Sequence, residues 1–300
     1  MLKTIMINFA ILNIIWFEFG FEYVSAKEIN VVTSFSVLAD MVQQIGKSHV
    51  KVNSLIGPCE DPHVYEPKPS DLNILKHANL IFVNGLGLEG WINRLFISSE
   101  TNGKIIIVSD GIHTITNNIA KNKTVIDPHA WNNVTNAIVY ATNIERALIE
   151  ADQDDADEIR LNSKFYIEQL RALDSWAKKE IDSIPMPSRK VITNHNSLSY
   201  LGDAYDITFL TFQGISSESE PTATQVASLI KQIRDEKVKA IFIENQSDSR
   251  LMTQIIKESN IKLSGELYPE ALSKQDGVAP TYIKAFIHNI KLLKAGMLGE

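Results

Sequence analysis

Cysteine is nearly absent from the sequence, with Cys59 as the single one among 300 residues. One thiol cannot form a disulfide bond within the chain, so we expect packing alone to stabilise the fold. No cysteine follows the apolar run near the N-terminus, and we therefore expect a protein that is not lipid-anchored. The scarcity of cysteine argues against a disulfide-stabilised protein and against a lipid-tethered one.

Positive charge is also scarce. The 29 Lys and Arg residues are outnumbered by 36 Asp and Glu residues, which gives a net charge of -7. This excess of negative charge argues against nucleic-acid binding through bulk electrostatics. It is compatible with a cationic ligand.

Long apolar runs are limited to the N-terminus. Residues 5–17 are mostly apolar, Lys3 precedes them, and Val24-Ser25-Ala26 provides a small-residue cleavage site. This pattern is typical of a signal peptide, here residues 1–26, and the run is too short to span a bilayer comfortably. We expect export, cleavage after about Ala26 and a periplasmic location.

Residues 27–300 alternate between Ile- and Val-rich runs and helical patterns, over a length sufficient for two domains. Strands are predicted over residues 29–33, 50–56, 80–84 and 104–109, and again over 191–193, 207–212, 240–244 and 262–268. Continuous apolar strands separated by helices indicate mostly parallel sheets with flanking helices. The predicted fold class is α/β, with an N-terminal lobe over 27–153 and a C-terminal lobe over 185–300.

Residues 154–184 separate the two alternating regions and carry apolar residues at spacings of three or four within a charged segment. This periodicity predicts one amphipathic helix. A helix of about 28 residues is about 42 Å long, enough to run along two small domains. We favour a helix that links two lobes, and the alternative is a core helix of one domain.

Three histidines lie in short motifs that restrict the backbone beside the ring. Asp-Pro-His occurs at His63 and again at His129, and His195 lies in Thr-Asn-His-Asn-Ser-Leu. Proline fixes the backbone angle immediately before each of the first two rings, which suits a ligand that must keep its position. An isolated histidine is more often a packing or surface residue, but the repeated motif favours metal binding.

The proposed donors fall at the carboxyl ends of predicted strands, where open parallel sheets bind ligands. His63 follows the strand at 50–56, His195 follows 191–193, and Glu270 follows the strand that ends near 268. Three imidazoles with one carboxylate suit zinc, manganese or ferrous iron, and they suit calcium or magnesium poorly. Three further residues are candidates for orienting these donors: Asp61, Tyr65 and Asp127. Glu244, at the end of the strand at 240–244, either orients a donor in the same way or closes the surface between the lobes through hydrogen bonds.

These residues resemble the metal-binding solute-binding proteins of zinc and manganese ABC importers, the TroA- and ZnuA-like family. The resemblance rests on the motif around His63 from Gly57 to Asp71, on Asp-Pro-His-Ala-Trp-Asn-Asn, on Tyr200-Leu201-Gly202 behind His195, and on Leu-Tyr-Pro-Glu-Ala-Leu ending at Leu272. It covers essentially all of residues 27–300.

The resemblance implies two α/β lobes joined by one long helix, with a transition metal held between them and delivered to a membrane permease. It implies metal ligands at His63, His129, His195 and Glu270. The family usually has aspartate where this chain has Glu270, a side chain one methylene longer, and Asp276 is the fallback for that position.

Two features point to different metals. His195 resembles the zinc-type pattern, because many manganese-type relatives have a carboxylate there. Residues 114–126 lack the histidine- and acid-rich insertion common in dedicated zinc importers, which favours manganese or a less selective site. The cargo is predicted to be Mn²⁺ or Zn²⁺, with Fe²⁺ as a further candidate.

The predicted function is metal capture by a monomeric solute-binding protein that serves an ABC permease, with no enzymatic activity. A metal-binding adhesin is the main alternative. A zinc hydrolase is a weaker one, since the chain has no His-Glu-x-x-His helix and four donors leave no open position on zinc.

Overall fold

The computed structural model describes residues 28–120, 123–215, 222–236, 238–248, 250–259 and 261–300. The predicted signal peptide, residues 1–26, lies outside these ranges. None of the described helices combines the length and the apolar character that crossing a membrane requires.

The first half of the chain forms a parallel four-stranded sheet flanked by helices. Its elements are β1 (Ile29–Thr33), α1 (Ser36–Gly46), β2 (Val50–Ser54), α2 (Pro69–Lys76), β3 (Leu80–Val83), α3 (Ile92–Ser99) and β4 (Lys104–Ile107). The strand order is β2-β1-β3-β4, with every pair parallel. Strand β3 is buried along its whole length, as expected for an inner strand covered on both faces.

A short antiparallel hairpin follows, made of β5 (Thr116–Ala120) and β6 (Lys123–Ile126). The apolar pattern of the sequence predicts no strand here, because β5 begins Thr-Asn-Asn and lacks the apolar run that marks the other strands. The hairpin leads into Asp127 and His129, and then into α4 (Val134–Ala151).

The second half repeats the architecture. Its elements are β7 (Lys190–Thr193), α6 (Ser199–Tyr205), β8 (Thr208–Thr211), α7 (Ala223–Glu236), β9 (Ala240–Glu244), α8 (Arg250–Ser259), β10 (Leu263–Leu267) and α9 (Tyr282–Leu298). The strand order is β10-β9-β7-β8, again parallel throughout. The predicted α/β fold with two mostly parallel sheets is confirmed, and α9 is an additional helix.

The long helix between the two halves is α5 (Ala156–Asp182), 27 residues and therefore about 40 Å in length. It packs against α1 and α4 of the first half and against α6 and α9 of the second. Ile159, Leu170 and Ile181 are fully buried along it, whereas Phe165, which shares the spacing of this apolar set, is 64% exposed. The helix contacts elements of both halves, as a linking helix would.

Candidate metal centre

Three imidazoles and one carboxylate from distant parts of the chain converge on one point. Oε1 of Glu270 lies 2.9 Å from Nε2 of His63 and 2.6 Å from Nε2 of His129. The same oxygen lies 3.2 Å from Nε2 of His195. His129, His195 and Glu270 are fully buried, and His63 is 9% exposed. The structure therefore brings together all four residues that the sequence analysis names as ligands.

The separations suit a small cation. Donor atoms arranged tetrahedrally about 2 Å from a zinc ion lie roughly 3.3 Å from one another. The contacts of Glu270 Oε1 with the three rings, at 2.6 to 3.2 Å, are shorter than this, as is the 3.0 Å between Nε2 of His63 and Nε2 of His129. Only a small outward movement of the side chains is needed to admit the ion.

His63 lies in the loop between β2 and α2, which is held at several points. Oδ1 of Asp61 accepts a hydrogen bond from the backbone N–H of His63 at 2.8 Å. Trp91 Nε1 donates to the carbonyl of Pro62 at 3.2 Å, and the Tyr65 ring packs on Trp91 with centroids 5.0 Å apart. The Tyr65 hydroxyl donates to Asp71 at 2.8 Å. Asp61 and Tyr65 thus shape the loop, with these bonds going to its backbone and to α2.

His129 is oriented from its far side. Its Nδ1 donates to Oδ1 of Asp127 at 2.7 Å, and the same oxygen accepts from the backbone N–H of His129 at 3.0 Å. The side-chain amide of Asn84, at the end of β3, donates to the carbonyl of Pro128 at 2.9 Å. With Nδ1 engaged by a carboxylate, Nε2 faces the shared centre in the tautomer that a metal requires.

His195 lies two residues after the end of β7 and is held by Glu244, the last residue of β9. Nδ1 of His195 lies 2.6 Å from Oε2 of Glu244, and Oε1 of Glu244 accepts from the backbone N–H of His195 at 3.2 Å. Both carboxylate oxygens therefore contact one histidine. Parallel pairing of β7 and β9 places the two residues at the same edge of the sheet.

Glu270 follows β10, and the first half of the chain holds its backbone. Nε1 of Trp131 donates to the carbonyl of Pro269 at 2.7 Å, and Nδ2 of Asn132 donates to the same oxygen at 3.1 Å. Oε2 of Glu270, the oxygen turned away from the rings, accepts from Nε2 of Gln246 at 2.7 Å. Gln246 is absent from the predicted site residues, although it lies two residues after β9, and the other site residues also lie shortly after strands.

Asp276, the fallback for the fourth ligand, is exposed and lies outside the cluster. Glu270 lies in the cluster with the three histidines. Its longer side chain is accommodated because one oxygen faces the rings and the other is bonded to Gln246.

The charges within the cluster shift the pKa of each partner. Burial opposes charge on His195, but Glu244 and Glu270 raise its pKa well above the ordinary value. Burial also opposes charge on His129, while hydrogen bonds to Asp127 and Glu270 raise its pKa. Burial favours neutral Glu270, yet the adjacent histidines lower its pKa well below the ordinary value. The site is built to hold positive charge next to a buried carboxylate.

An open cavity of about 1310 Å³ leads to the cluster. His63, Tyr65 and Trp91 line it from the first half of the chain, and Asn196 and Gln213 line it from the second. His63 is the proposed ligand at its wall, consistent with its slight exposure. An ion entering between the two halves would meet His63 first.

Comparison with known protein families gives a match over nearly the whole chain. Residues 31–296 match the family described as zinc-uptake complex component A, periplasmic. The chain is 32% identical over 278 residues to the metal ABC transporter substrate-binding lipoprotein SsaB of Streptococcus sanguinis, covering 91% of this chain and 90% of that protein.

Solved structures agree with this match. A Mn-bound periplasmic metal binding protein from Candidatus Liberibacter asiaticus has a TM-score of 0.81 at 30% identity, covering 90% of this chain and 100% of that chain. The periplasmic zinc binding protein TroA from Treponema pallidum has a TM-score of 0.84 at 26% identity, covering 90% of this chain and 99% of that chain. The resemblance noted from the motifs is confirmed.

The relatives correct one expectation. SsaB and other streptococcal relatives are named lipoproteins, so the prediction that the protein is not lipid-anchored is wrong. That prediction rested on a missing cysteine near the N-terminus, and the absence of one residue type there is a weaker guide than relatives matched along most of the chain. A periplasmic or extracellular placement is consistent with the relatives.

Proposed function

Because the chain belongs to the family of periplasmic zinc-uptake complex component A, a family of solute-binding components of metal importers, we propose that it captures one Mn²⁺ or Zn²⁺ ion at His63, His129, His195 and Glu270. The observation that carries this proposal is the convergence of the three Nε2 atoms on one oxygen of Glu270 in a buried setting. The captured ion is passed to the membrane permease of an ABC importer.

The donor set supports zinc and manganese together as candidate cargo. Three nitrogens and one oxygen bind zinc more tightly than manganese when geometry is equal, by the general order of divalent metal affinities. Related proteins bind either metal, as the zinc-binding TroA and the Mn-bound Liberibacter protein do. Fe²⁺ is a further candidate for the same donors.

Release is proposed to occur through small movements. Several hydrogen bonds join the two halves near the site: Tyr200 donates to the carbonyl of Asp127 at 2.9 Å, and Asn132 donates to the carbonyl of Ser197 at 3.0 Å. Helix α5 packs against both halves and opposes a wide hinge opening. Shifts of the loops that carry His63 and Glu270 are therefore the simplest way to expose the ion.

The proposal also covers the bounds of the two lobes, the oligomeric state and the activities that the protein lacks. We propose an N-terminal lobe at 27–153, a linking helix at 154–184 and a C-terminal lobe at 185–300. We also propose a monomer that binds no nucleic acid, given its net charge of -7, and that is not an enzyme, since four protein donors fill the coordination of a tetrahedral zinc ion.

Calorimetric titration of the mature protein, stripped of metal by a chelator, tests the proposal. We expect saturable binding of one ion per chain for Zn²⁺ and for Mn²⁺, with zinc the tighter. Elemental analysis of protein purified without added metal should detect one of these ions. Absence of saturable binding of either ion would remove the proposed function.

Metal affinity is expected to rise with pH. Because Glu244 and Glu270 raise the pKa of His195 well above its ordinary value, the metal-free protein holds a proton on this ring up to a higher pH than an ordinary imidazole does. A cation must displace that proton, so each proton released makes the affinity rise by up to about tenfold per pH unit until the ring is neutral. Zinc titrations at several pH values, in buffers with different heats of ionisation, measure the number of protons released. An affinity independent of pH would contradict the prediction.

A further inference from the structure

We propose that Gln246 sets the number of oxygens that Glu270 offers to the metal and thereby selects zinc over manganese. The inference rests on the proposed function, since it concerns the choice between two ions at that site. No position in the metal-binding motifs of the sequence points to Gln246, and its role emerges from its hydrogen bonds to Glu270 and Glu244.

The side-chain amide of Gln246 bridges two carboxylates of the site. Its Nε2 donates to Oε2 of Glu270 at 2.7 Å and lies 3.2 Å from Oε2 of Glu244. An amide nitrogen carries two N–H groups, one for each acceptor. Ionised carboxylates only accept hydrogen bonds, so the nitrogen rather than the oxygen of the amide must face them.

This bridge gives the two carboxylate oxygens of Glu270 different partners. Oε1 faces the three Nε2 atoms at 2.6 to 3.2 Å, while Oε2 is occupied by the amide. Glu270 is thus held as a ligand with one available oxygen. The bridge also joins Glu270 to Glu244, the residue that orients His195, so two of the four donors are positioned together.

The number of available oxygens decides which ion fits. One oxygen with three nitrogens makes a closed set of four donors, the usual arrangement of zinc. Manganese favours octahedral, oxygen-rich coordination and gains from a second carboxylate oxygen. Gln246 keeps Oε2 out of the coordination shell. It thereby weakens the binding of manganese, which needs more ligands, and leaves the binding of four-coordinate zinc unchanged.

Gln246 can also be substituted without changing any of the four donor residues. It lines a surface cavity of about 610 Å³ together with Asp61, Val64 and Gln254. A substitution there changes the wall of this cavity and the bond to Glu270. The four donor residues stay in place.

The test compares Gln246→Met with the wild type. Methionine keeps a side chain of similar length and donates no hydrogen bond, so Oε2 of Glu270 becomes free to bind the ion. We expect the ratio of zinc to manganese affinity, measured by chelator competition, to fall by roughly tenfold, within the range typical of outer-shell changes at metal sites. X-ray absorption of the manganese-loaded protein should show about one more oxygen neighbour in the variant than in the wild type.

Gln254→Met is the matched control, because Gln254 lines the same cavity and donates to Glu258 instead of to a site carboxylate. It should leave the ratio unchanged. Gln246→Asn, which withdraws the amide by one methylene, should shift the ratio in the same direction as Gln246→Met and covers the case in which methionine disturbs folding.

Equal weakening of both ions, an unchanged ratio, or a changed ratio with the same number of oxygen neighbours would each overturn the role of Gln246. Those results leave one-ion binding by the wild type intact. Failure of the wild type to bind either ion would instead overturn the proposed function itself.

Discussion

Replacing His129 by alanine is expected to weaken zinc binding by about 100-fold or more. His129 is fully buried, and its Nε2 makes the shortest of the three ring contacts with Glu270, at 2.6 Å. Binding free energies of roughly 10 to 16 kcal/mol shared among four ligands at structural zinc sites correspond to about 3 kcal/mol per ligand. That value is close to a hundredfold in affinity. Calorimetric titration of the metal-free variant with Zn²⁺ measures the loss.

His113→Ala is the control for this experiment, because it removes an exposed imidazole with no part in the cluster. It should bind zinc as the wild type does. Circular dichroism should show that both variants are folded, since the alanine at 129 leaves a small cavity within an otherwise unchanged core. Zinc affinity of His129→Ala equal to that of the wild type would refute the assignment of this residue as a ligand.

Replacing Glu270 by glutamine is expected to have an effect of similar size, about 100-fold, with a different cause. The substitution keeps the shape of the side chain and removes the negative charge that lies within 3.2 Å of all three rings. The ion then loses an anionic ligand in a buried setting, where charge is poorly compensated by solvent. Zinc titration by chelator competition measures the change.

The same variant should release fewer protons on metal binding than the wild type. Glu270 is one of the carboxylates that raise the pKa of His195 and of His129, so its neutral replacement favours the unprotonated rings before the ion arrives. Glu266→Gln, the same chemical change on an exposed residue of β10, is the matched control and should leave both quantities unchanged. Tight binding with undiminished proton release in Glu270→Gln would show that the carboxylate is no part of the site.

Several elements could be predicted from their residues because their signals are local. Strands β1 and β9 have the bounds that the apolar patterns indicate. The β5–β6 hairpin could not be found this way, since polar residues form strands there through pairing with each other. Helix α9 differs, because its buried residues Tyr282, Phe286, Ile290 and Leu293 recur at spacings of three or four, which is a local helical signal in the sequence.

By itself, the sequence determined the types of donor and the local motifs that orient them: two Asp-Pro-His motifs, a histidine two residues after a strand, and a carboxylate after the last strand. Tertiary structure alone decided that these donors meet, because His63 and Glu270 are 207 positions apart and their distance depends on how two sheets are placed. It also decided that Glu270 presents one oxygen and that Gln246 holds the other. The physical reason is that a coordination shell only about 2 Å in radius is set by the packing of whole lobes, which no short stretch of chain encodes.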